Sequence, residues 1–239
     1  MLASAPSPEP TSMGINLDLL SEQAILGAAL TRLSPLGTAQ MADEDTVLYR
    51  EGEPLDTLYL VQDGSVMTEV ALIAGCPGTA TPVDIAGRGA VLGLSDLGDG
   101  LHGETARTLS PCRLIRLSPA QVNTLAGSSA ETALLLVGLL SVGLRHRIRA
   151  ISDQRSLSAR GRLMAFLLSL MPGRRGGAVT VRLPVSKTTL AAHLGITPQS
   201  LSRSLRSLRD DGVTVRGPLV TVADPGGLRL AMEAERDVA

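Results

Sequence analysis

The segment SKTTLAAHLGITPQSLSRSLRSL, residues Ser186–Leu208, decides the fold of the C-terminal part of the chain. Ser186 has the position of an N-cap before a first short helix, and Thr197 followed by Pro198 marks the start of a second. Gly195 lies between the two helices and permits a tight turn. Two helices joined in this way form a helix-turn-helix, and the second of them can enter the major groove of DNA.

The second helix carries polar side chains on the face that would meet DNA. Gln199 and Ser200 lie at its N-terminal tip, and Arg203 follows Gln199 by one turn on the same side. Arg can donate two hydrogen bonds to guanine, and Gln can pair in the same way with adenine. Arg206, one turn further along, is expected to contact a phosphate. The predicted DNA-contacting residues are Ser186, Lys187, Thr197, Gln199, Ser200, Arg203 and Arg206.

Two further features favour a DNA-binding role for the C-terminal part. The segment GVTVRGPLVTVAD, residues 212–224, predicts two strands, and a hairpin after such a helix is a wing that usually contacts the DNA backbone. From Arg160 onward the chain has 12 Lys and Arg against 6 Asp and Glu, a net charge of +6, whereas residues 1–159 carry a net charge of −7. A basic C-terminal part suits a polyanionic partner. With one Phe, two Tyr and no Trp, the chain is poorly suited to stacking single-stranded bases.

The N-terminal half shows a different pattern. The start of the chain is rich in Pro and Ser and predicts a disordered tail. Helical spacing follows over residues 17–40, and from Thr46 onward short strand-like runs alternate with turns that contain Gly, as in a β-barrel or β-sandwich. Ser118-Pro119 then predicts the start of a helix.

A long helix is predicted from Glu131 to Gln154. Its apolar residues recur every three or four positions and form what we call the apolar seam: Val137, Leu140, Leu144, Ile148 and Ile151. Such a seam on a connecting helix is typical of a coiled-coil dimer, and the alternative is burial against the chain's own β domain. Four arginines flank the seam and are poor candidates for burial in a monomer core: Arg145, Arg147, Arg149 and Arg155. The sequence therefore predicts a homodimer through helix 131–154.

The chain resembles the CRP/FNR superfamily of bacterial transcription regulators over roughly residues 17–228. The resemblance rests on LYREGEPLDTLYLVQDGSV (Leu48–Val66), VLGLSDLGDGLHGETARTL (Val91–Leu109), the long helix and the helix-turn-helix. It implies an α+β fold and a homodimer that binds palindromic double-stranded promoter DNA and contacts RNA polymerase. The implied parts are a disordered tail (1–16), a cyclic-nucleotide-binding-like β-roll that senses an effector (17–130), a dimerisation helix (131–157) and a winged helix-turn-helix DNA-binding domain (158–239).

The sequence departs from the relatives that bind cyclic nucleotides. Those relatives carry a Gly-Glu pair for the ribose hydroxyl and an Arg-Ser pair for the cyclic phosphate, and the corresponding pairs here are Gly93-Leu94 and His102-Gly103. His is a poor replacement for a permanently cationic guanidinium, so we expect no cAMP binding. An anionic effector could instead meet arginines of the long helix, or these arginines could lie on its solvated flank. The candidate effector-binding residues are Gly93, Leu94, His102, Thr105, Arg145, Arg147 and Arg149.

Cofactor expectations follow from the same resemblance. The FNR branch holds an iron–sulfur cluster with N-terminal Cys residues, and because this N-terminus has none we expect no such cluster. The segment His102–Ala106 is similar to the FixK and nitric-oxide-regulator branch, some members of which sense gas through haem. By residue type the candidate haem ligands are His102, His146 and Cys76. The alternative is that each of them is an ordinary surface or core residue.

The sequence also leaves other functional classes open. The regulator could be gated by haem and gas or could act without an effector, and a remote alternative is a sensor or scaffold that does not bind DNA. GLSDLG (Gly93–Gly98) approaches the nucleophile-elbow pattern around Ser95, but Leu97 stands where the second Gly is needed, so we expect no enzyme. Without a signal-peptide pattern or an apolar run long enough to span a bilayer, a cytoplasmic location without membrane contact is expected.

Overall fold

The computed structural model describes residues 21–71, 80–171 and 177–236. The predicted tail (1–16) and Cys76 lie outside these ranges. The described N-terminal part begins with helix α1 (Glu22–Leu33) and a 3₁₀ turn (Ser34–Leu36), and another 3₁₀ turn (Leu94–Leu97) follows β6. Its strands are β1 (Thr38–Ala42), β2 (Val47–Tyr49), β3 (Leu58–Asp63), β4 (Val66–Ala71), β5 (Ala80–Ala86), β6 (Val91–Leu92), β7 (Thr105–Thr108) and β8 (Cys112–Leu117).

These strands form two antiparallel sheets of the β-roll. The strand order is β1-β8-β3-β6 in one sheet and β2-β7-β4-β5 in the other. Val61, Val66 and Leu114 are fully buried with the tyrosines of β2 and β3, while Leu58 and Leu60 pack toward α1. Because the side chains of a strand alternate between its two faces, β3 contributes to both of these clusters.

The helical prediction for residues 17–40 was wrong at its C-terminal end. Helix α1 ends at Leu33, and Thr38–Ala42 is a strand paired with β8. Pro35 lies in the 3₁₀ turn that ends the helix. Gly37 then lets the chain approach β8, since a Cβ there would lie 2.2 Å from the carbonyl oxygen of Arg116.

Two helices follow the roll. Helix α2 (Pro119–Ser128) begins as predicted, with Ser118 and Gln121 forming a reciprocal capping box. Helix α3 (Ala130–Ser156) contains the predicted long helix. One face of α3 packs on the roll through Leu136, Leu139 and Val142. The residues of the apolar seam lie elsewhere on the helix and are 43–60% exposed, so they are not buried against the chain's own β domain.

The C-terminal part is a compact unit with its own core. Its elements are α4 (Ala159–Ser169), β9 (Val179–Arg182), α5 (Lys187–His193), α6 (Pro198–Ser207), β10 (Val213–Arg216), β11 (Leu219–Val222) and α7 (Pro225–Arg236). The strands form an antiparallel sheet in the order β10-β11-β9. Ile85 of the roll and Leu109 pack against this core, so the two halves of the chain touch. No helix within the described ranges is both long and apolar enough to span a membrane.

The turn between β3 and β4 requires a glycine at position 64, and substitution tests this requirement. Gly64 has φ +93°, and a Cβ there would lie 2.6 Å from Cys112 Sγ, whereas Gly52 has φ +81° with nothing within 4 Å. We expect Gly64→Ala to lower the free energy of unfolding by about 2–5 kcal/mol, since it adds overlap to backbone strain. Gly52→Ala carries the strain alone, about 1–2 kcal/mol. Urea unfolding followed by circular dichroism measures both, and equal losses would contradict the overlap.

Candidate nucleic-acid interface and effector site

The helix-turn-helix has the caps and the turn that the sequence predicts. Ser186 Oγ accepts a hydrogen bond from the backbone N–H of Thr189 at 3.1 Å, and Thr197 Oγ1 accepts one from Ser200 at the same distance. Gly195 adopts φ +63° between the two helices, a conformation that favours glycine. Both predicted helix starts and the predicted turn are therefore confirmed.

Helix α6 has one buried face and one polar, exposed face. Leu201 and Leu205 are buried in the domain core, whereas Gln199, Arg203 and Arg206 are exposed. Arg203 Nη2 donates to Ser200 Oγ at 3.4 Å, which holds the guanidinium along the helix toward its N-terminus. The first two turns of α6 thus bring together an amide, a hydroxyl and a guanidinium on one surface.

The other predicted contacts surround this surface. Ser186 and Lys187 are exposed at the N-terminus of α5, and Thr197 is exposed at the N-cap of α6. Arg206 Nε donates to the backbone carbonyl of Ser202 at 3.3 Å. The wing is the β10–β11 hairpin, which turns at Gly217 with φ +61° and carries the exposed Arg216 beside the turn.

Arg162 supports the turn, and the sequence reasoning missed it. From α4, Arg162 Nη1 donates to the carbonyl oxygen of Leu194 at 2.9 Å and to that of Gly195 at 3.4 Å. These carbonyls follow the end of α5, where helices leave acceptors unsatisfied. Arg162 is 32 residues from Leu194, so no local pattern indicates the contact.

Arg160 ties the start of α4 to two distant elements, and it was also missed. Its guanidinium pairs with Asp211 at 2.5 Å, just after α6, and with Glu235 on α7. Glu235 in turn accepts a hydrogen bond from Ser158 Oγ at 2.7 Å, at the N-cap of α4. The segment that connects α3 to the DNA-binding domain is thereby held by charged side chains.

His193 of α5 has a structural environment. Its ring packs edge-on against Phe166 of α4, with ring centroids 5.8 Å apart. Burial lowers the pKa of this imidazole, and the carboxylate of Asp84 on β5 acts in the opposite direction. The neutral form is therefore favoured where α5 lies against the roll.

The predicted effector residues of the roll lie at the β6–β7 connection. Gly93 has φ +78° and precedes the 3₁₀ turn, while Leu94 is buried in the apolar cluster under α1 and α3. Thr105 Oγ1 accepts a hydrogen bond from the backbone N–H of Glu51 at 3.0 Å. Leu94 thus packs in the core, and Thr105 fastens the loop after β2 to β7.

His102 belongs to a buried polar cluster. Its side chain is 3% exposed, its ring stacks on Tyr49 with centroids 3.7 Å apart, and Nδ1 donates to Asp96 at 3.3 Å. Burial raises the pKa of Tyr49, and the nearby carboxylates of Glu104 and Asp96 raise it further. The Tyr49 hydroxyl has no hydrogen-bond partner among the described residues.

Glu104 joins this cluster to the long helix. Its carboxylate is about 10% exposed and accepts a hydrogen bond from Arg147 Nη2 of α3 at 2.7 Å. Burial raises the pKa of Glu104, and the guanidinium of Arg147 opposes that rise. Arg145 and Arg149 are exposed on α3. Of the three predicted arginines, Arg147 is the one the structure brings to the predicted effector residues, and Glu104 was missed because its partner is 43 residues away.

The candidate haem ligands are engaged by carboxylates. His102 bonds to Asp96, and His146 Nε2 of α3 lies 2.9 Å from Glu22 Oε1 of α1. Cys76 falls outside the described ranges, and Cys112 is buried. Among the residues that the structure describes, no group of three or more His, Cys, Asp or Glu is placed to hold a metal ion.

Comparisons with known proteins match both halves of the chain. Residues 161–231 match the model of the Crp-like helix-turn-helix domain, and residues 40–129 match that of the cyclic nucleotide-binding domain. The chain is 24% identical over 214 residues to the anaerobic regulatory protein of Pasteurella multocida (strain Pm70), covering 86% of this chain and 74% of that one.

Solved structures share the whole architecture. FixK2 from Bradyrhizobium japonicum superposes with a TM-score of 0.72 at 23% identity, over 82% of this chain and 96% of that one. The c-di-GMP-responsive global regulator CLP of Xanthomonas campestris gives 0.61 at 22% identity, over 82% and 99%. A CooA mutant from Carboxydothermus hydrogenoformans gives 0.65 at 16% identity, over 93% and 97%.

A β-roll joined by a long helix to a winged helix-turn-helix defines a class of DNA-binding regulators with an effector-type N-terminal domain. Within that class, the chain belongs to the CRP/FNR superfamily of transcription regulators. This family consists of regulators and not of enzymes, in agreement with the expectation from the sequence.

The contact of Arg162 with the turn gives a testable consequence. Arg162→Met keeps an unbranched apolar stem but removes the guanidinium, so two carbonyl oxygens lose their donor. We expect the free energy of unfolding to fall by about 1–3 kcal/mol, the range for hydrogen bonds from a charged group. Arg182→Met, at an exposed position on β9, is the matched control and should change it by less than about 0.5 kcal/mol. Thermal unfolding would contradict the contact if both variants behaved alike.

Proposed function

We propose that this chain acts as a homodimeric transcription regulator that reads a palindromic promoter site through the first turns of α6. The observation that carries the proposal is the exposed pair Gln199 and Arg203, one turn apart on a helix whose opposite face is buried. Arg203 contacts a guanine and Gln199 an adenine in the major groove. Ser186, Lys187, Thr197, Ser200 and Arg206 lie around this pair and position the domain on the backbone.

The dimer forms through the apolar seam of α3. All five residues of the seam are at least 43% exposed in the single chain, although they are large and aliphatic. A stripe of this length on one helix face is stable in water when a second helix covers it. Two copies related by a two-fold axis present their α6 helices to half-sites about one turn of DNA apart. RNA polymerase is the partner expected of a promoter-bound regulator.

The roll takes no cAMP in this proposal. The position that would need a ribose-binding carboxylate is Leu94, whose side chain lies in the apolar core. The position that would need a phosphate-binding guanidinium is His102, whose ring is buried and hydrogen-bonded to Asp96. Haem at His102 is also disfavoured, because its ring is 3% exposed and stacks on Tyr49. These contacts support an effector of other chemistry or effector-independent binding.

The DNA contacts are tested by substitution. Duplexes selected by the wild-type protein from a random library define the preferred site, and Arg203→Ala is then compared with the wild type. We expect a loss of about 1–3 kcal/mol in binding, confined to one base position per half-site, because Arg203 reads one base pair. Fluorescence anisotropy with base-substituted duplexes measures this loss.

Arg209 provides the matched control for charge. It is exposed just beyond α6, so Arg209→Ala removes the same charge without touching the predicted groove surface. We expect it to weaken all duplexes similarly and to reduce the slope of affinity against salt by at most about one counterion. An unchanged base preference in Arg203→Ala would show that the groove assignment is wrong.

The dimer is tested on the seam. Leu144→Glu places a charge in the middle of the proposed interface, and we expect mainly monomers at micromolar concentration with loss of specific DNA binding. Met41→Glu, at a position 72% exposed on β1, is the matched control and should remain dimeric. Sedimentation velocity distinguishes the two states. A wild-type protein that sediments as a monomer would contradict the proposal.

A further inference from the structure

The two halves of α3 are held to the rest of the chain in different ways. The buried residues of α3 all lie between Thr132 and Val142, in its first half. From Gly143 onward, among the described residues, no side chain of the helix is buried. The second half of α3 nevertheless leads directly into the DNA-binding domain, since α4 begins at Ala159. Its orientation therefore depends on contacts other than apolar packing on the roll.

Polar contacts hold this second half. His146 pairs with Glu22 of α1, but both side chains are more than one-third exposed, so solvent weakens the pair. Arg147 pairs with Glu104, whose carboxylate is only about 10% exposed. This ion pair joins α3 directly to the segment of the roll that leads into β7.

The pair is asymmetric in its exposure to water. The Arg147 side chain is 40% exposed and keeps part of its hydration, whereas the Glu104 carboxylate has little access to solvent. A buried carboxylate without a cation is strongly unfavourable, so Glu104 retains Arg147 more firmly than an exposed ion pair would. Arg147 lies about two and a half turns before the end of α3, close to the connection with α4.

Other side chains of the roll lie close to Glu104. His102, two residues before Glu104 in the sequence, stacks on Tyr49 and is hydrogen-bonded to Asp96. We propose that Glu104 and Arg147 form an internal tether that holds the second half of α3 against the roll, so that the protein binds its DNA site without a small-molecule effector. This inference rests on the proposed function, because the effect of the tether is measured as DNA affinity.

The first measurement compares DNA binding with and without nucleotides. Purified wild-type protein is titrated onto its selected duplex alone, with cAMP and with c-di-GMP. The tether predicts that the three dissociation constants agree within about threefold. Binding that appears only after a nucleotide is added would overturn the tether and leave the proposed function intact. Absence of binding under all conditions would overturn the proposed function, and the role of the tether in DNA binding with it.

The second measurement removes each partner in turn. Glu104→Gln and Arg147→Met should each weaken effector-free DNA binding about tenfold, a usual size for coupling between sites. The double variant should be no weaker than either single one, because both changes break the same contact. Asp45→Asn breaks the exposed pair with Arg107 on the roll and should leave the affinity unchanged. Unchanged affinity in Glu104→Gln and in Arg147→Met would overturn the tether.

Thermal stability separates the tether from general damage to the fold. Arg147→Met leaves the Glu104 carboxylate buried without its cation, and we expect the Tm at neutral pH to fall by about 5 °C. Glu104→Gln should lose little or no stability, since it removes a charge that is costly to bury. Adding Glu104→Gln to Arg147→Met should restore the Tm without restoring DNA affinity. A double variant as unstable as Arg147→Met would contradict the role assigned to the carboxylate.

The fall in Tm that we expect for Arg147→Met should also depend on pH. Burial raises the pKa of Glu104, Arg147 on α3 opposes the rise, and the carboxylates of Asp96 in the 3₁₀ turn and Asp84 on β5 add to it. Tyr49 on β2 also faces Glu104. A carboxyl with a raised folded-state pKa contributes stability at low pH and loses it as pH rises through that pKa. The deficit of Arg147→Met should therefore be smaller at pH 5 than at pH 8. A deficit independent of pH would contradict an unpaired carboxylate as its cause.

Discussion

Helix α3 has two apolar faces, and a single chain can cover only one of them. Leu136, Leu139 and Val142 are buried on the roll, while the apolar seam is left exposed on the same helix. A stripe of exposed aliphatic side chains along a helix favours packing against a second helix, because this removes apolar surface from water. Helix α3 therefore packs on the roll, forms the proposed dimer interface and leads into the DNA-binding domain. Any shift of α3 against the roll changes the last two together.

Hydrogen bonds and ion pairs of charged side chains connect the start of α4, which follows α3, to the elements around α6. Ser158 and Arg160 at the start of α4 bond to Glu235 of α7, and Arg160 also pairs with Asp211 just after α6. One turn later, Arg162 donates to the carbonyls at the end of α5. Helix α4 is thus bonded to the turn between α5 and α6, to the segment after α6 and to α7.

The parts of the fold that depend on local signals could be predicted from the sequence. The caps at Ser118, Ser186 and Thr197 and the turn at Gly195 act over three or four residues, and each appears where expected. The first three residues of strand β1 were predicted as helix, because the strand depends on pairing with β8, at least 70 residues further along the chain. The partners of Arg160, Arg162 and Glu104 could not be predicted for the same reason, since no spacing rule links residues brought together by the fold.

The charges of the roll also explain why Leu94 and His102, which differ from the relatives that bind cyclic nucleotides, disfavour the binding of a cyclic phosphate. A guanidinium attracts a cyclic phosphate, but the buried acidic side chains near His102 are those of Asp96, to which it is hydrogen-bonded, and Glu104. An anion entering there would face a buried negative charge whose cation is already bound to it. The substitution of His for Arg removes the attraction, and Glu104 adds repulsion. The Glu104 carboxylate instead attracts the guanidinium of Arg147 on the chain's own helix α3 and forms an internal contact with it.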